Sequence, residues 1–327
     1  MSDTPARIVL GVDGGGTKTH AVLADLSGDV LGFGESGASN WEIVGLGGTA
    51  GAVSSAVDAA CANAGIEPDS IAASLFALAG CDWNSDVSRL DSAIPKLGAN
   101  ERRRIINDAA AVLSAGAPTG YGIASVAGTG GSTTGRNRDG AQFRTFAVSI
   151  GEASGASGIA RAGLDAVARA YHGQSEPTGL TDRILAATSF RSVPELFEAI
   201  SRGRPRGIGA QLAPLVFSAA EDGDECARSI ASDAGASHAR DVVGVARRLA
   251  MLDHAFDVVC SGGVHTAGNA EFDAAFRTTL AADIPDAIPV LLTMPPVFGA
   301  VLLAYELAGI DPTSLRQRVA TAMSEIR

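Results

Sequence analysis

The sequence predicts an α/β protein of two domains, each with a mixed sheet that opens with a meander of three strands. Short β-branched apolar runs alternate with segments of helical spacing, which predicts largely parallel sheets with helices on both faces. The order strand, glycine-rich turn, strand, turn, strand occurs twice, over 7–35 and 122–150. A chain of 327 residues is long enough for two domains that each bury a core.

We place an N-terminal domain at 1–117 and a C-terminal domain at 118–327. The second domain contains a mostly helical insertion at about 178–253, and its last helix, 311–326, could pack back on the first domain. Two such domains facing each other would put both glycine-rich turns in the cleft between them, where ligand sites are common.

Breaking residues and apolar runs delimit the elements. In the first half, strands are predicted at 8–12 and 21–26, with a third ending by 35, and at 71–79 and 104–107; helices are predicted at 46–64, 84–97 and 109–115. In the second half, strands are predicted at 123–127, 134–136, 143–150, 256–260 and 288–293, with helices at 154–171, 269–281 and 297–308. Gly65 stops one helix, and Asp311 and Pro312 have the residue types of an N-cap and a first helical position.

Charge and cysteine content restrict the function and the location. A formal net charge of −11 and a pI near 4.9 argue against nucleic acid or an anionic membrane as the main partner. The four cysteines form no CxxC pair, which is typical of a reducing compartment, and the five histidines form no HExxH motif. No leader-like segment opens the chain and no apolar run reaches the roughly 18 residues of a membrane span, so we expect a cytoplasmic protein.

The first glycine-rich turn, 13–19, joins two predicted strands and consists of Asp13, Gly14, Gly15, Gly16, Thr17, Lys18 and Thr19. Glycines let a backbone approach a ligand closely and take positive φ, and the N–H groups of such a turn bind anionic oxygens. Lys18 would add positive charge, and Asp13 could link the anion to a metal ion. The other interpretation is an ordinary hairpin turn, and one glycine-rich loop alone does not separate the two.

A second turn of this kind follows the strand at 123–127 and contains Gly128, Thr129, Gly130, Gly131 and Ser132. Two hydroxyl-bearing turns on facing domains would hold a polyphosphate from two sides, which neither turn can do alone. Neither turn has the spacing of a Walker A loop, and neither is a GxGxxG between a strand and a helix. The pair therefore favours nucleotide binding over two structural hairpins.

Asp108 is the candidate catalytic residue because it follows a predicted buried strand, at the edge where open parallel sheets bind ligands. A carboxylate there can accept the proton of a hydroxyl that attacks a phosphoryl group. The structural interpretation is an N-cap for the helix at 109–115, and the two roles are compatible.

Two other segments have both a functional and a structural interpretation. Ser261, Gly262 and Gly263 follow a late strand, where the glycines would either lie flat against a purine or form a strand-to-helix turn. Asn40 and Trp41 could present an amide and an indole to a polar ring, although a partly buried tryptophan is more often structural.

Four motifs together resemble one superfamily: DGGGTKT at 13–19, INDAAA at 106–111, AGTGGST at 127–133 and CSGGV at 260–264. The chain is similar over nearly its whole length to the actin-like ATPases and sugar kinases, and within them it resembles the N-acetylglucosamine kinase and BadF-type ATPase family. The resemblance implies two actin-like, ribonuclease H-like domains with a nucleotide cleft between them. It also implies ATP-dependent phosphorylation of an amino-sugar hydroxyl, the 6-position first, by a homodimer.

The resemblance further implies roles for single residues. Thr17 with its neighbouring glycines, and Thr129, would hold the ATP phosphates, and Asp13 would help to place Mg²⁺ through water. Asp108 would be the general base and would also hydrogen-bond the sugar. The segment 261–263 would flank adenine, and the sugar would lie against Asn40, Trp41, Gly80, Phe146 and Glu152.

Departures from the family pattern fall on the sugar side. The acidic stretch Gly-Asp-Glu-Gly-Ser reads GEASG at 151–155, and the aromatic Gly-Trp-Gly element reads TFA at 145–147. A serine common after the third strand is Ala79 here. Since the phosphate-handling motifs are intact, glucosamine or another hexose derivative becomes a candidate beside N-acetylglucosamine, with Glu152 as a partner for a free amine.

Two other functions use the same motifs. Some relatives are ATPases that activate a partner enzyme, and these carry cysteines for an iron–sulfur cluster at a subunit interface; Cys81 and Cys260 lie in other motif contexts. A regulator that binds sugar or nucleotide without turnover is a third function, against which the intact Asp108 argues. An amino-sugar kinase using ATP and Mg²⁺ is therefore the primary prediction.

Overall fold

The computed structural model describes residues 8–97, 102–203 and 208–325, and within them ten strands and twelve α-helices. The strands are β1 (Ile8–Gly14), β2 (Thr19–Asp25), β3 (Val30–Ser36), β4 (Ile71–Leu78), β5 (Arg102–Asn107), β6 (Gly122–Ala127), β7 (Gly131–Arg136), β8 (Gln142–Arg144), β9 (Phe256–Ser261) and β10 (Ala287–Leu291). The helices are α1 (Trp41–Ala64), α2 (Asn84–Ala93), α3 (Ala109–Gly116), α4 (Ala156–Tyr171), α5 (Leu180–Thr188), α6 (Val193–Ser201), α7 (Ala213–Glu221), α8 (Glu225–Arg248), α9 (Gly263–Thr266), α10 (Ala270–Asp283), α11 (Pro296–Ala308) and α12 (Arg316–Glu325). The expected leader-free opening at 1–7 and the expected helix end at 326 lie outside the described residues.

The chain divides into two compact units, one formed by the residues up to Gly122 together with those from Leu292 onward, the other by Ile123–Leu291. The first sheet has the order β3-β2-β1-β4-β5. Its β1–β2 and β2–β3 pairs are antiparallel, and its β1–β4 and β4–β5 pairs are parallel. The prediction of a mixed sheet opened by a meander is confirmed, although half of these pairings are antiparallel and the sheet is therefore not largely parallel.

Successive side chains of β1 point to opposite faces of this sheet and pack against a helix on each face. Leu10 and Val12 pack with α1, while Val9 packs with α11 on the opposite face. Gly11 is needed on the α11 face, because a Cβ there would lie 2.4 Å from the backbone nitrogen of Val301. The first unit is thus a helix–sheet–helix sandwich with β1 at its centre.

The second unit repeats this topology. Its sheet order, β10-β9-β6-β7-β8, places a meander (β6, β7, β8) and a parallel pair (β9, β10) in the same relative positions as in the first unit. The predicted insertion is helical, and α4 to α8 enclose an apolar core that contains Ile159, Leu196, Val216 and Phe217.

The predicted strand at 143–150 is wrong beyond Arg144, where β8 ends. Ala147 and Ser149 have φ angles of 61° and 56°, which is left-handed backbone that a strand does not contain. The apolar residues alternate as in a strand, but they are exposed in a loop: Phe146, Val148 and Ile150.

Two further differences come from packing. Helix α1 begins at Trp41, before the predicted start, because Asn40 caps it and the chain continues through a kink at Gly45 (φ 70°, ψ 167°). Helices α11 and α12 belong to the first unit, whereas the order of the chain had placed α11 in the second. The physical reason is the apolar face of α11, where Phe298 and Val301 are 1% and 0% exposed against the first sheet.

Helix α1 is the described helix that is long and apolar enough to cross a membrane by length and composition alone, with a mean hydropathy of 1.2. Its buried residues Val53, Ala56 and Ala60 lie in the core of the first unit. Gly34 of β3 allows the close approach, since a Cβ there would lie 2.0 Å from the Ala56 carbonyl oxygen. Helix α1 therefore packs as a core helix of this unit.

Two histidines are buried among phenylalanines in the second unit. His238 and His265 are 0% and 7% exposed, with ring centroids 5.5 Å apart, and both rings contact Phe272. Burial lowers the pKa of His238 to about 4, and burial together with the neighbouring His238 lowers the pKa of His265 to about 3. The unfolded chain takes up protons at these residues below about pH 6.5, whereas the folded chain does not, so stability falls as the pH falls through this window.

The variant His238→Phe removes one of these groups and keeps an aromatic ring in the cluster. We expect the free energy of unfolding to fall between about pH 6.5 and 4 more gently in this variant than in the wild type, by up to about 1.4 kcal/mol per pH unit, because one proton fewer is taken up on unfolding. Urea titrations at pH 7, 6 and 5 measure this, with the exposed His254→Phe as control. Equal slopes in His238→Phe and the wild type would contradict it.

Candidate active site

The predicted residues of the first unit collect at one edge of its sheet. Strands β1, β4 and β5 are parallel neighbours, and their last residues, Gly14, Leu78 and Asn107, are in register. The 13–19 segment begins with the last two residues of β1, and the turn at 79–80 and Asp108 follow directly after the ends of β4 and β5. Since open α/β sheets bind ligands beyond the carboxyl ends of their parallel strands, this edge is the candidate site.

The 13–19 turn is fixed at its base by backbone hydrogen bonds. Gly15 N donates to Lys18 O at 2.9 Å, and Gly15 O accepts from the backbone nitrogens of Ser39 and Asn40 at 3.0 and 3.2 Å. The residues at the tip are exposed: Gly16, Thr17 and Lys18. The turn therefore has a rigid base and a solvent-facing tip, which suits a turn that meets a ligand.

Two residues of the turn have partners that the sequence does not reveal. Thr19 is fully buried, and its hydroxyl donates to Gly37 O at 2.7 Å. The prediction that Thr19 faces a ligand is therefore wrong, and this side chain stabilises the turn from inside the unit. Lys18 Nζ lies 3.0 Å from Glu35 Oε1 in an exposed ion pair. Since exposed pairs contribute only about 0–1 kcal/mol, Lys18 can exchange Glu35 for a bound anion.

Asp13 and Asp108 bring two carboxyl groups into this site. Burial, and then the negative charge of Asp108, raise the pKa of Asp13 to about 7. A bound cation would relieve this unfavourable field, and Mg²⁺ takes one or two protein carboxylates together with phosphate oxygens and water. The pair therefore fits a magnesium–phosphate complex, although no group of three or more His, Cys, Asp or Glu that could hold a metal ion occurs in the described ranges.

Asp108 does not act as a side-chain N-cap for α3. It occupies the N-cap position with φ −58° and ψ −31°, but its side chain makes no capping hydrogen bond. Ala109 N donates instead to Asn107 Oδ1 at 3.0 Å. The capping interpretation of the Asp108 carboxylate is therefore wrong, and Asn107 performs that role.

Asn40, Trp41 and Gly80 contact one another beside the 13–19 turn. Asn40 Oδ1 accepts from Glu42 N at 3.0 Å, and Trp41 Nε1 donates to Gly80 O at 2.6 Å. Gly80 has φ 78°, and a Cβ there would lie 2.6 Å from Asn40 Oδ1. The indole N–H of Trp41 is thus bonded within the chain, as the structural interpretation of this tryptophan requires.

In the second unit, three glycine segments pack against one another. Gly128 N donates to Gly130 O at 3.0 Å, and Gly128 O accepts from Ala156 N, at the start of α4, at 2.8 Å. A Cβ on Gly155 would lie 2.2 Å from Gly130 O, and one on Gly262 (φ 95°) would lie 2.7 Å from Gly128 N. The structure therefore brings the predicted phosphate turn and the predicted adenine-flanking turn into contact.

Three residues predicted in these turns are strand residues. Gly131 and Ser132 begin β7, and Ser261 ends β9. Gly131 packs against the loop after β8, where a Cβ would lie 2.4 Å from Ala153 O. The accessible parts of the two turns are thus shorter than the motifs suggest.

A cavity of about 620 Å³ opens beside this glycine surface. Gly128, Thr129 and Gly263 line one side, and the insertion supplies the other with Gln211, Phe217 and Glu221. Cavities of roughly 300–1,000 Å³ with mainly apolar walls and a few polar groups are typical of small-molecule sites. The volume and the predicted phosphate turn in its lining suit a nucleotide.

Glu152 holds the loop that follows β8. Its Oε2 accepts from Ala147 N at 3.0 Å, and its Oε1 accepts from Ser149 N at 2.8 Å and also from Val148 N. Successive N–H groups in a left-handed turn form an anion-binding nest, and here the anion is a side chain of the same loop. Both oxygens of Glu152 are therefore engaged with backbone, while the predicted sugar contact Phe146 is exposed on the loop.

Comparison with known proteins identifies the family. A profile of the BadF/BadG/BcrA/BcrD ATPase family matches residues 10–304. The chain belongs to this ATPase family. The N-acetylmuramic acid/N-acetylglucosamine kinase of Clostridium acetobutylicum is 27% identical over 301 residues, 91% of this chain and 98% of that protein. The N-acetyl-D-glucosamine kinase of Dictyostelium discoideum is 27% identical over 316 residues, with the same two coverages of 91% and 98%.

Solved structures share the two-domain, actin-like fold. A Chromobacterium violaceum protein proposed to be an N-acetylglucosamine kinase has a TM-score of 0.69 and 24% identity, covering 92% of this chain and 99% of that one. A ROK family glucokinase from Streptomyces griseus, solved with glucose and AMPPNP, has a TM-score of 0.55 and 18% identity, covering 91% and 99%. The fold predicted from the motifs is confirmed.

Sequence reasoning missed several residues of the site in this BadF-type chain. The INDAAA motif gives Asn107 no capping role, and no motif indicates its partner Asp82. Gln211 and Glu221 lie in a helical insertion without a local signal. Asn107 stands beside Asp108 in sequence, so a capping residue before the candidate base was the one signal available. The cavity residues are distant in sequence from both glycine turns and could not be found from spacing.

The contact of Gly155 with the 128–131 turn gives a test of nucleotide binding by this ATPase family member. Gly155→Ala puts a methyl group against two turn carbonyl oxygens, so we expect at least tenfold weaker ATP binding by calorimetry, with the turn displaced. Gly244→Ala in α8 has open space around the new methyl group and is the matched control. Unchanged ATP affinity in Gly155→Ala would mean that this turn does not bind phosphate.

Proposed function

We propose that the protein is an ATP-dependent sugar kinase that transfers the γ-phosphoryl group to a hydroxyl of a hexosamine, glucosamine or N-acetylglucosamine, at the 6-position. The observation that carries this proposal is the pair Asp13 and Asp108 at the ends of β1 and β5, beside an exposed glycine-rich turn. The family membership and the two curated relatives, both named as N-acetylglucosamine kinases, support the same activity.

Asp108 is the general base. Its carboxylate accepts the proton of the sugar hydroxyl as the hydroxyl oxygen attacks the γ-phosphorus and the bond to the ADP oxygen breaks. Thr17 and the exposed backbone of Gly16 would hold phosphate oxygens, with Lys18 released from Glu35 to add charge. Gly14 and Gly15 would shape the base of this turn, where their backbone groups are bonded within the chain. Little covalent chemistry is needed, so positioning and charge neutralisation provide most of the catalysis.

Mg²⁺ is the metal that this site would hold. Asp13 would bind it through water, close to the Asp108 carboxylate, and the ion would supply charge stabilisation for the phosphates. The raised pKa of Asp13 is compatible with this, because burial and then the charge of Asp108 disfavour its ionised form, and a bound cation would offset both.

The nucleoside of ATP would occupy the cavity of the second unit. Gly128, Thr129 and Gly130 would meet its phosphates, and Gly262 and Gly263 would lie against adenine. Gly131, Ser132 and Ser261 support these turns from the adjoining strands.

The sugar would lie near Asp108, with Asn40, Trp41 and Gly80 shaping the site. Family analogy also makes Phe146 and Glu152, in the loop after β8, candidates for sugar contact. Since Trp41 bonds to Gly80 O, its ring face and not its N–H would meet the sugar. By family analogy we also propose a homodimer, and light scattering in solution would measure this oligomeric state. The same analogy places the protein in the cytoplasm, with no nucleic acid or membrane partner.

An ATPase that activates a partner enzyme is the alternative, favoured by the description of the family. Its known signature is a set of cysteines at a subunit interface. Cys61 and Cys81 lie in the core of the first unit and Cys260 is buried in the second, so these thiols are poorly placed for an interfacial cluster. The kinase is therefore the function that we propose.

A coupled ADP-release assay with ATP and Mg²⁺ against a panel of hexoses and hexosamines tests the proposal. We expect a sugar-dependent rate with a hexosamine, and a loss of at least 10³-fold in kcat for Asp108→Asn, because the amide cannot accept the proton. Asp139→Asn, in the exposed turn between β7 and β8, is the control. A hydrolysis rate that no sugar raises would favour the partner-activating ATPase.

The variant Glu152→Gln separates two roles for this side chain. An amide has one acceptor oxygen, so it cannot hold all of the N–H groups at 147–149 that the carboxylate holds. We expect KM to rise several-fold for glucosamine and N-acetylglucosamine alike, as the loop loosens. A rise confined to glucosamine would instead show a direct charge contact with the free amine.

A further inference from the structure

The side-chain amide of Asn107 is engaged at both of its ends. Its Oδ1 accepts from Ala109 N at 3.0 Å, and its Nδ2 donates to Asp82 Oδ1 at 2.9 Å. One bond holds the first turn of α3, and the other reaches the loop that follows β4. Asn107 therefore links the loop after β4 to the first turn of α3, which follows Asp108.

The chemistry of these two partners fixes the orientation of the amide. A flipped Asn107 would set its NH₂ group against the Ala109 N–H and its oxygen against the Asp82 carboxylate, giving one donor–donor and one acceptor–acceptor contact. The hydrogen bond to Asp82 is charge-assisted and is therefore stronger than a neutral one. Asp82 thus decides which end of the amide meets α3.

Asp82 is itself held in place by α2. The backbone nitrogens of Asp82 and Trp83 donate to Asp86 Oδ2 at 3.1 and 2.9 Å, and Asp86 is 3% exposed. The sequence of contacts runs from a buried capping carboxylate, through the 82–83 backbone and the Asp82 side chain, to Asn107. A rigid helix end therefore supports the turn that contains Asp108.

We propose that Asn107 and Asp82 are positioning residues that hold the 107–109 turn so that the Asp108 carboxylate is directed to the substrate. Asn107 caps α3 in place of Asp108, whose side chain makes no capping bond, and Asp82 keeps Asn107 in the orientation that allows this. The inference rests on the proposed kinase function. A displacement of about 1 Å in a reacting group costs on the order of 100-fold in rate, so the positioning is measurable in kcat.

An exchange of the two side chains tests the proposal. Asn107→Asp keeps an acceptor for Ala109 N but sets a second carboxylate against Asp82, so we expect kcat to fall at least 100-fold while KM for ATP stays within about twofold. In Asp82→Asn the new amide oxygen still accepts from Asn107, and kcat falls no more than about fivefold. The double variant Asn107→Asp/Asp82→Asn restores a donor–acceptor pair in the reverse sense, and kcat returns to within about tenfold of the wild type.

The controls separate positioning from folding. Asn84→Asp adds the same charge at the exposed start of α2 and leaves kcat unchanged. Thermal unfolding identifies any variant that fails to fold. A double variant that folds but is as slow as Asn107→Asp overturns the proposal, as does an Asn107→Asp variant with wild-type kcat.

Amide hydrogen exchange at Ala109 gives a readout that does not depend on activity. We expect slow exchange in the wild type and in the double variant, and at least tenfold faster exchange in Asn107→Ala, which has no capping oxygen. Unchanged exchange in Asn107→Ala overturns the proposal. A wild type without sugar-dependent turnover would instead overturn the kinase function, and the Ala109 exchange would still report on the contact.

Discussion

The parallel pairing of β1 with β4, and of β4 with β5, is the constraint on which the site of the first unit depends. In-register ends at Gly14, Leu78 and Asn107 force the segments that follow into one small region. Two carboxyl groups, Asp13 and Asp108, then lie close enough for the charge of one to raise the pKa of the other. Burial and this neighbouring charge both disfavour the ionised form of Asp13, and a bound cation would offset both.

In the second unit, close backbone packing between glycines positions the predicted binding turns. Gly155 and Gly262 press on the 128–131 turn so tightly that neither position has room for a methyl group. This contact joins the predicted phosphate turn to the turn after β9, and the helical insertion closes the cavity beside them with Phe217 and Glu221. The two units share a sheet order, but only the second adds this wall.

Near the candidate active-site edge, residues other than Asp108 make the hydrogen bonds that hold the local backbone. Asn107 caps α3, Thr19 braces the 13–19 turn from inside the protein, and Asp86 caps the chain before α2. The Asp108 side chain makes no capping bond.

The sequence by itself determined the two-fold α/β architecture, both glycine-rich turns and the strand end before Asp108, because these follow from local patterns of β-branched runs and breaking residues. The same local logic made 143–150 a strand, since alternating apolar residues satisfy the pattern whether or not a partner strand exists. Only the tertiary structure decided that Glu152 ties this segment into a loop and that α11 packs on the first sheet. It also paired Asn107 with Asp82 and Lys18 with Glu35. The contacts of α11, Asn107 and Lys18 join residues distant in the chain, so they depend on how the elements pack. Those of Glu152 span only three to five residues, but they depend on a left-handed loop that the alternation of apolar residues does not indicate.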